Sequence, residues 1–253
     1  IKKEKLISEF GDITNQEFLN SIFLKYKPTI IVNCAKQSSP NFCEKNYETL
    51  KFTIENNLFG TLSLLEAMKH HVPESLFLNI NKISNQESLY ELTSETEFNY
   101  IKNFLYKNNL NVVNLFFGDI YGIKLNNINE KNIFASVCYD NVFGTIMNRL
   151  FVQTIIGEKL IIYGSQDKKL PIISLQSFVE SVERIINVAL RKKIQTNFNV
   201  FDEVIILKDI IKNLNHFHKS TQFAIRFVKA KTETINEQKL DNTYMLSFGC
   251  KPT

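Results

Sequence analysis

Cysteine and histidine have the widest chemical reach of any residues in this chain, and their spacing sets the first limits. The four cysteines, Cys34, Cys43, Cys138 and Cys250, form no C-x-x-C pair and have no histidine beside them. Neither a zinc site nor a disulfide scaffold is expected, a reducing compartment fits, and the thiols read as small buried hydrophobes. The histidines fall as His70 with His71 and His216 with His218. Neither pair has the i, i+4 spacing that sets two imidazoles on one helix face for zinc, and no carboxylate partner stands out, so structural or surface roles are expected.

Phosphate chemistry is limited by glycine. The chain has 8 glycines, at positions 11, 60, 118, 122, 144, 157, 164 and 249, where average usage gives about 18. No two of them make G-x-G. The dinucleotide fingerprint G-x-G-x-x-G and the phosphate loop G-x-x-x-x-G-K-[ST] are therefore both absent from the sequence, because each needs closely spaced residues without a Cβ where backbone N–H groups approach phosphate. Any nucleotide bound here has its phosphates held by something outside this sequence. The formal charge is +4, from 30 basic and 26 acidic residues that are scattered along the chain, so a dedicated nucleic-acid footprint is unsupported. The longest apolar runs are strand-sized, well short of the roughly 20 residues of a membrane span. No signal-peptide pattern opens the sequence, which does not begin with Met.

The elements that would position functional side chains follow from periodicity. With 253 residues, 44% of them apolar, the chain can bury the core of one large domain. Thr14-Asn-Gln-Glu17 reads as a capping box ahead of Phe18, Leu19, Ile22 and Phe23 at helical spacing. A strand over 29–33 and a long helix through Leu50, Ile54, Leu58, Leu62, Leu65 and Met68 follow. Then come a strand over 75–80, a helix over 88–107 and a strand over 111–117. After an Asn- and Lys-rich excursion beyond Gly122, the pattern gives helix 140–156, strand 160–163, helix 175–190, strand 198–201, helix 205–214, strand 223–228 and helix 234–246. Such alternation implies a doubly wound parallel, Rossmann-type sheet with helices on both faces and a smaller mixed α/β C-terminal lobe. The expected division is 1–138 for the partial Rossmann-like domain and 139–253 for the remaining sheet elements and the C-terminal lobe, packed as one unit.

Specific residues carry a resemblance. Gly11-Asp12-Ile13 precedes the first helix and strand, Asn56-Asn57-Leu-Phe-Gly60-Thr61 lies within the long helix, and strands end in Phe-Phe-Gly118-Asp-Ile-Tyr-Gly122 and Leu160-Ile-Ile-Tyr-Gly164. This order resembles the extended short-chain dehydrogenase/reductase family of nucleotide-sugar epimerases and dehydratases. Tyr139-Asp-Asn-Val-Phe-Gly-Thr-Ile-Met-Asn-Arg149 with Phe151-Val-Gln153 is similar to the UDP-sulfoquinovose synthase branch. The resemblance implies an NAD-bound oxidoreductive fold read from its third strand onward, with the first strand and its Gly-rich turn lying before Ile1.

The resemblance also implies a tyrosine base, a lysine four residues later and a nearby Ser/Thr. At the matching spacing stand Tyr90 and Ser94, with Asn81 in the Ser/Thr position and Ile80 and Ile83 where the pattern has glycine. A phenol titrates near 10, and a cation ~4 Å away at an effective dielectric of ~20 contributes roughly 4 kcal/mol, about three units. Without that cation the phenol stays protonated near neutrality and general-base catalysis largely fails. Tyr90 is thus expected to be vestigial unless another cation, such as Lys82, serves it. The sugar-gripping arginines are replaced by Ser38 and by the stretch Ser165–Pro171, where Lys168 and Lys169 are the nearest cations, and no arginine appears in Lys229–Glu233. The positions that the resemblance assigns to cofactor binding are Asp12, Ile13 and Ala35; those it assigns to substrate are Gln37, Asn57, Asn148 and Arg149. Asp12 can equally serve a helix start, and Asn56 and Asn57 can equally hold backbone in place.

These losses lead to the expectation of a catalytically inactive family member, serving as a structural or interaction subunit with other proteins and needing no cofactor. The alternative is an active NAD-dependent UDP-sugar enzyme whose Gly-rich loop lies outside this chain. A second alternative is an RNA-binding plastid relative, which a contiguous Lys/Arg face would mark. A homodimer through the Asn56 and Tyr90 helices is what the resemblance allows. An Asn-, Ile- and Lys-rich composition points to an organelle, plastid-type or mitochondrial, and otherwise to the cytoplasm.

Overall fold

A computed structural model describes residues 7–83, 89–122, 137–140, 144–158, 160–163, 165–192, 196–217, 225–228 and 240–247. The first helix, α1 (Gln16–Tyr26), is capped by Asn15, whose side chain accepts from the Phe18 N–H at 3.0 Å. The cap is one residue later than the expected Thr14, because the Thr14 hydroxyl and N–H both donate to Asp12 at 2.8 Å. Lys27 ends the helix in the left-handed region, and β1 (Ile30–Asn33) follows Pro28. A short helix that periodicity does not reveal, α2 (Pro40–Cys43), is capped by Ser39 with Pro at its start.

The long helix expected over residues 50–68 is real but interrupted. It consists of α3 (Tyr47–Ile54), a π-helical turn Glu55–Phe59 and α4 (Gly60–His71). The π turn is where Asn56 and Asn57 lie, and such one-turn bulges commonly re-aim side chains inside a helix. Next come β2 (Leu76–Lys82), α5 (Leu89–Asn108), β3 (Asn111–Phe117) and β4 (Asp119–Tyr121). Then α6 (Ile146–Ile156) starts after the Thr145 cap rather than near 140, followed by β5 (Leu160–Tyr163). Two strands were not anticipated: β6 (Lys169–Ser174), in a stretch to which no element was assigned, and β8 (Glu203–Ile206), which precedes α8 (Leu207–Phe217). Between them lie α7 (Leu175–Ala189) and β7 (Thr196–Val200), and β9 (Ile225–Val228) and α9 (Thr243–Ser247) are the last of the described elements. The expected excursion after Gly122, the Lys229–Glu233 stretch and the start of the last expected helix fall outside the described residues.

Among the described residues, β1-β2-β3-β7 form a four-stranded, all-parallel sheet. One face packs Leu76, Leu78, Val113 and Leu115 against Ile185 and Ala189 of α7 and Met245 of α9. The other packs Ile31, Phe77 and Val112 against α1, α4 and α5 through Leu19, Phe23, Leu65, Met68 and Ile101. Helices on both faces explain why these strands read as continuous apolar runs. A smaller mixed sheet, β4-β6-β8, is parallel between β4 and β6 and antiparallel between β6 and β8, and β5 pairs with β9.

The two sheets meet at Gly118, between β3 and β4. A Cβ there would stand 2.7 Å from the Pro171 carbonyl oxygen, and backbone cannot retreat as a flexible side-chain tip does. Gly118→Ala is expected to lose about 1–3 kcal/mol of stability, read as a lower urea midpoint; an unchanged midpoint would show that the junction relaxes freely.

Candidate active-site region

Polar residues gather at the carboxyl ends of the parallel strands. On the face shared with α4 and α5, the row Ile31, Phe77 and Val112 is succeeded two residues later by Asn33, Asn79 and Asn114, as a strand period of two requires. These asparagines are in register with one another and with Asn197 of β7. Asn33 donates to Asn79 at 3.1 Å, Asn79 to Asn114 at 3.2 Å and Asn114 to Asn197 at 3.1 Å.

Above this ladder lies a buried ion pair. The Lys36 ammonium contacts the Glu97 carboxylate, and the two side chains are only 7% and 2% exposed. Lys36 also donates to the Thr61 hydroxyl at 2.8 Å and the Asn57 carbonyl at 3.3 Å, while Glu97 accepts from Thr61 at 3.0 Å and Asn79 at 2.9 Å. Burial pushes the Lys36 ammonium below its ordinary pKa, and Glu97 opposes that push. Nothing in the sequence alone singled out Glu97; its place seven residues after Tyr90 on α5, two helical turns away on the same face, was the available signal.

Asn57 is the hub of the π turn. Its side-chain oxygen accepts from the Gln37 N–H and its amide donates to the Gln37 carbonyl, both at 2.8 Å. The Gln37 side-chain oxygen accepts from the Ser39 N–H at 2.9 Å, while its buried Nε2 has no partner among the described residues. Asn56 donates to the Ala35 carbonyl at 2.9 Å, and the Ala35 N–H donates to Asn33 at 3.1 Å. Three of the expected ligand-binding positions, Ala35, Gln37 and Asn57, are thus brought together as a brace for the loop after β1.

Tyr90 is 3% exposed. Burial raises its phenol above the usual value of 10.0; a hydrogen bond with Ser94 works against this, and Glu97, Cys43 and Glu91 add to the rise. Lys82 lines the same cleft but pairs with Asp119 at 2.7 Å, so this cation is already bound to a carboxylate. The cleft also includes Ser38, Ile83, Lys168 and Lys169, and its volume is about 90 Å³, far below the roughly 300–1,000 Å³ of a typical ligand pocket. Asn81 is half-buried at the end of β2, and Ile83 is 8% exposed.

The other expected site residues lie apart from this centre. Asp12 is exposed and committed to Thr14, while Ile13 packs against Gly60, where an added Cβ would come within 2.3 Å of it. The Asn148 N–H donates to the Thr145 hydroxyl at 3.3 Å in the cap of α6, and Arg149 follows on that helix. Two minor expectations are corrected. His70 has a carboxylate partner after all, Glu66 at 3.3 Å, one turn away on α4. Of the described cysteines only Cys43 is buried, Cys34 and Cys138 being exposed because the chain beside β1 and before α6 leaves them uncovered. No cluster of metal-ligating side chains occurs among the described residues, and none of their helices is long and apolar enough to cross a membrane.

Comparison with known proteins agrees with the fold. A family model described as GDP-mannose 4,6 dehydratase matches residues 2–90. The UDP-sulfoquinovose synthase of Sulfolobus acidocaldarius is 24% identical over 230 residues, covering 79% of this chain and 58% of that protein. Among solved structures, a UDP-glucose 4-epimerase from Thermotoga maritima with UDP-glucose superposes with a TM-score of 0.80 at 15% identity, over 100% of this chain and 81% of that one. The chain is similar to nucleotide-sugar epimerases, dehydratases and UDP-sulfoquinovose synthases of the extended short-chain dehydrogenase/reductase family, and it shares their fold. Two further proteins show the same similarity. The chloroplastic UDP-sulfoquinovose synthase of spinach is 24% identical over 235 residues, covering 79% of this chain and 48% of that protein. A UDP-glucuronic acid 4-epimerase from Bacillus cereus, solved with UDP-glucuronic acid and NAD, has a TM-score of 0.76 at 16% identity, over 96% of this chain and 75% of that one. The chain spans about half the length of these curated short-chain dehydrogenase/reductase relatives, 58% and 48% respectively.

Proposed function

We propose that this chain keeps the dehydrogenase/reductase fold without its oxidoreductive chemistry and acts as a structural or interaction subunit. One observation carries the reading. Lys82, which lines the same cleft as Tyr90, is tied to Asp119, while Ser94 offers the phenol a hydroxyl in place of a cation. A phenol so placed stays protonated near neutrality and does not take a proton from a sugar hydroxyl. The described residues beside it also do not fit a nicotinamide facing a sugar: the cleft is about 90 Å³, and the buried Ile83 forms part of its wall.

An interaction role has its own support. Phe52 and Phe59, on α3 and the π turn, are 51% and 54% exposed, and Leu92 and Tyr100 of α5 are 59% and 54% exposed. These helices pack against one another, so large apolar side chains project from a shared region, as at protein contacts. The partner is a protein, a second copy of this chain being one form of it. The chloroplastic location of the spinach relative supports a plastid-type organelle as the setting.

The decisive experiment measures binding of NAD and UDP-glucose to the complete protein, together with turnover. Neither turnover nor micromolar binding of both ligands is expected. Binding of both with turnover would overturn the proposal in favour of an active nucleotide-sugar enzyme.

A further inference from the structure

We draw no further inference here: the strongest candidate, the outer edge of the parallel sheet at β1, where Val32 is 46% exposed beside the buried Leu78 with which it is in register, carries nothing because nothing in the structure shows what covers it.

Discussion

Replacing Glu97 by alanine is expected to destabilise the protein by about 3–5 kcal/mol, because it leaves the Lys36 ammonium buried without its counter-charge. The pair is enclosed, with side-chain exposures of 7% and 2%, so water does not compensate for the loss. The Lys36→Met/Glu97→Leu double variant is expected to recover most of the stability, since apolar side chains of similar volume frequently replace a buried ion pair at little or no cost. Denaturant midpoints of the three proteins at neutral pH test this. The pH dependence adds a sign. Burial holds the Lys36 ammonium below its unfolded value, so in the window between the two the unfolded chain binds more protons, and stability rises with pH there. The same stability is lost as pH falls through the folded-state value. Removing Glu97 takes away the contact that opposes the downward shift, so the window widens toward lower pH. A Glu97→Ala protein as stable as the parent, with the same alkaline slope, would show that the pair is not enclosed in solution.

Restoring a lysine at position 94 is expected to lower the pKa of Tyr90 by about three units, the effect of an ammonium roughly 4 Å away at an effective dielectric of ~20. In the parent protein burial raises the phenol above 10.0, and Ser94 offsets this only in part. Phenolate absorbance across a pH titration of Ser94→Lys, minus that of Tyr90→Phe/Ser94→Lys, isolates this residue from the other members of a set of 9 tyrosines. A parent Tyr90 that already titrates near neutrality would show that some cation reaches it and would undo the reading of a silent base. Nucleotide-sugar turnover is not expected to return with the lysine, because Asn81 stands in the Ser/Thr position and Ile83 remains in the cleft wall.

The parallel sheet was legible because its strands are covered on both faces, which leaves runs such as Leu76–Ile80 and Val112–Phe117 almost wholly apolar. Strands β6 and β8 were not legible for the opposite reason. Residues Lys169–Ser174 carry a proline and a charged start, and Glu203–Ile206 runs straight into α8, so a strand of four residues was absorbed into the helical pattern after it. At the site, the exchange of a lysine for Ser94 could be read from spacing. The Lys36–Glu97 pair could not, since its members are 61 residues apart and meet only when α5 packs beside the π turn. Asp12 shows the converse limit. Its sequence context matches a ligand-binding turn and a helix lead-in equally, and the structure places it in hydrogen bonds to Thr14.

The row of asparagines has a bearing on how the sheet finds its alignment. Strands that are apolar on both faces can slide by two residues against a neighbour and still bury the same kinds of side chain, so pattern alone fixes their pairing weakly. Asn33, Asn79 and Asn114 are each at most 3% exposed, and a slip would leave their amides without the partners they now have. Each unsatisfied group costs about 1–3 kcal/mol, against a total stability of only about 5–15 kcal/mol for a typical domain. The asparagines thus act as a key that admits one alignment of four strands, a role that persists whatever has become of the chemistry above them.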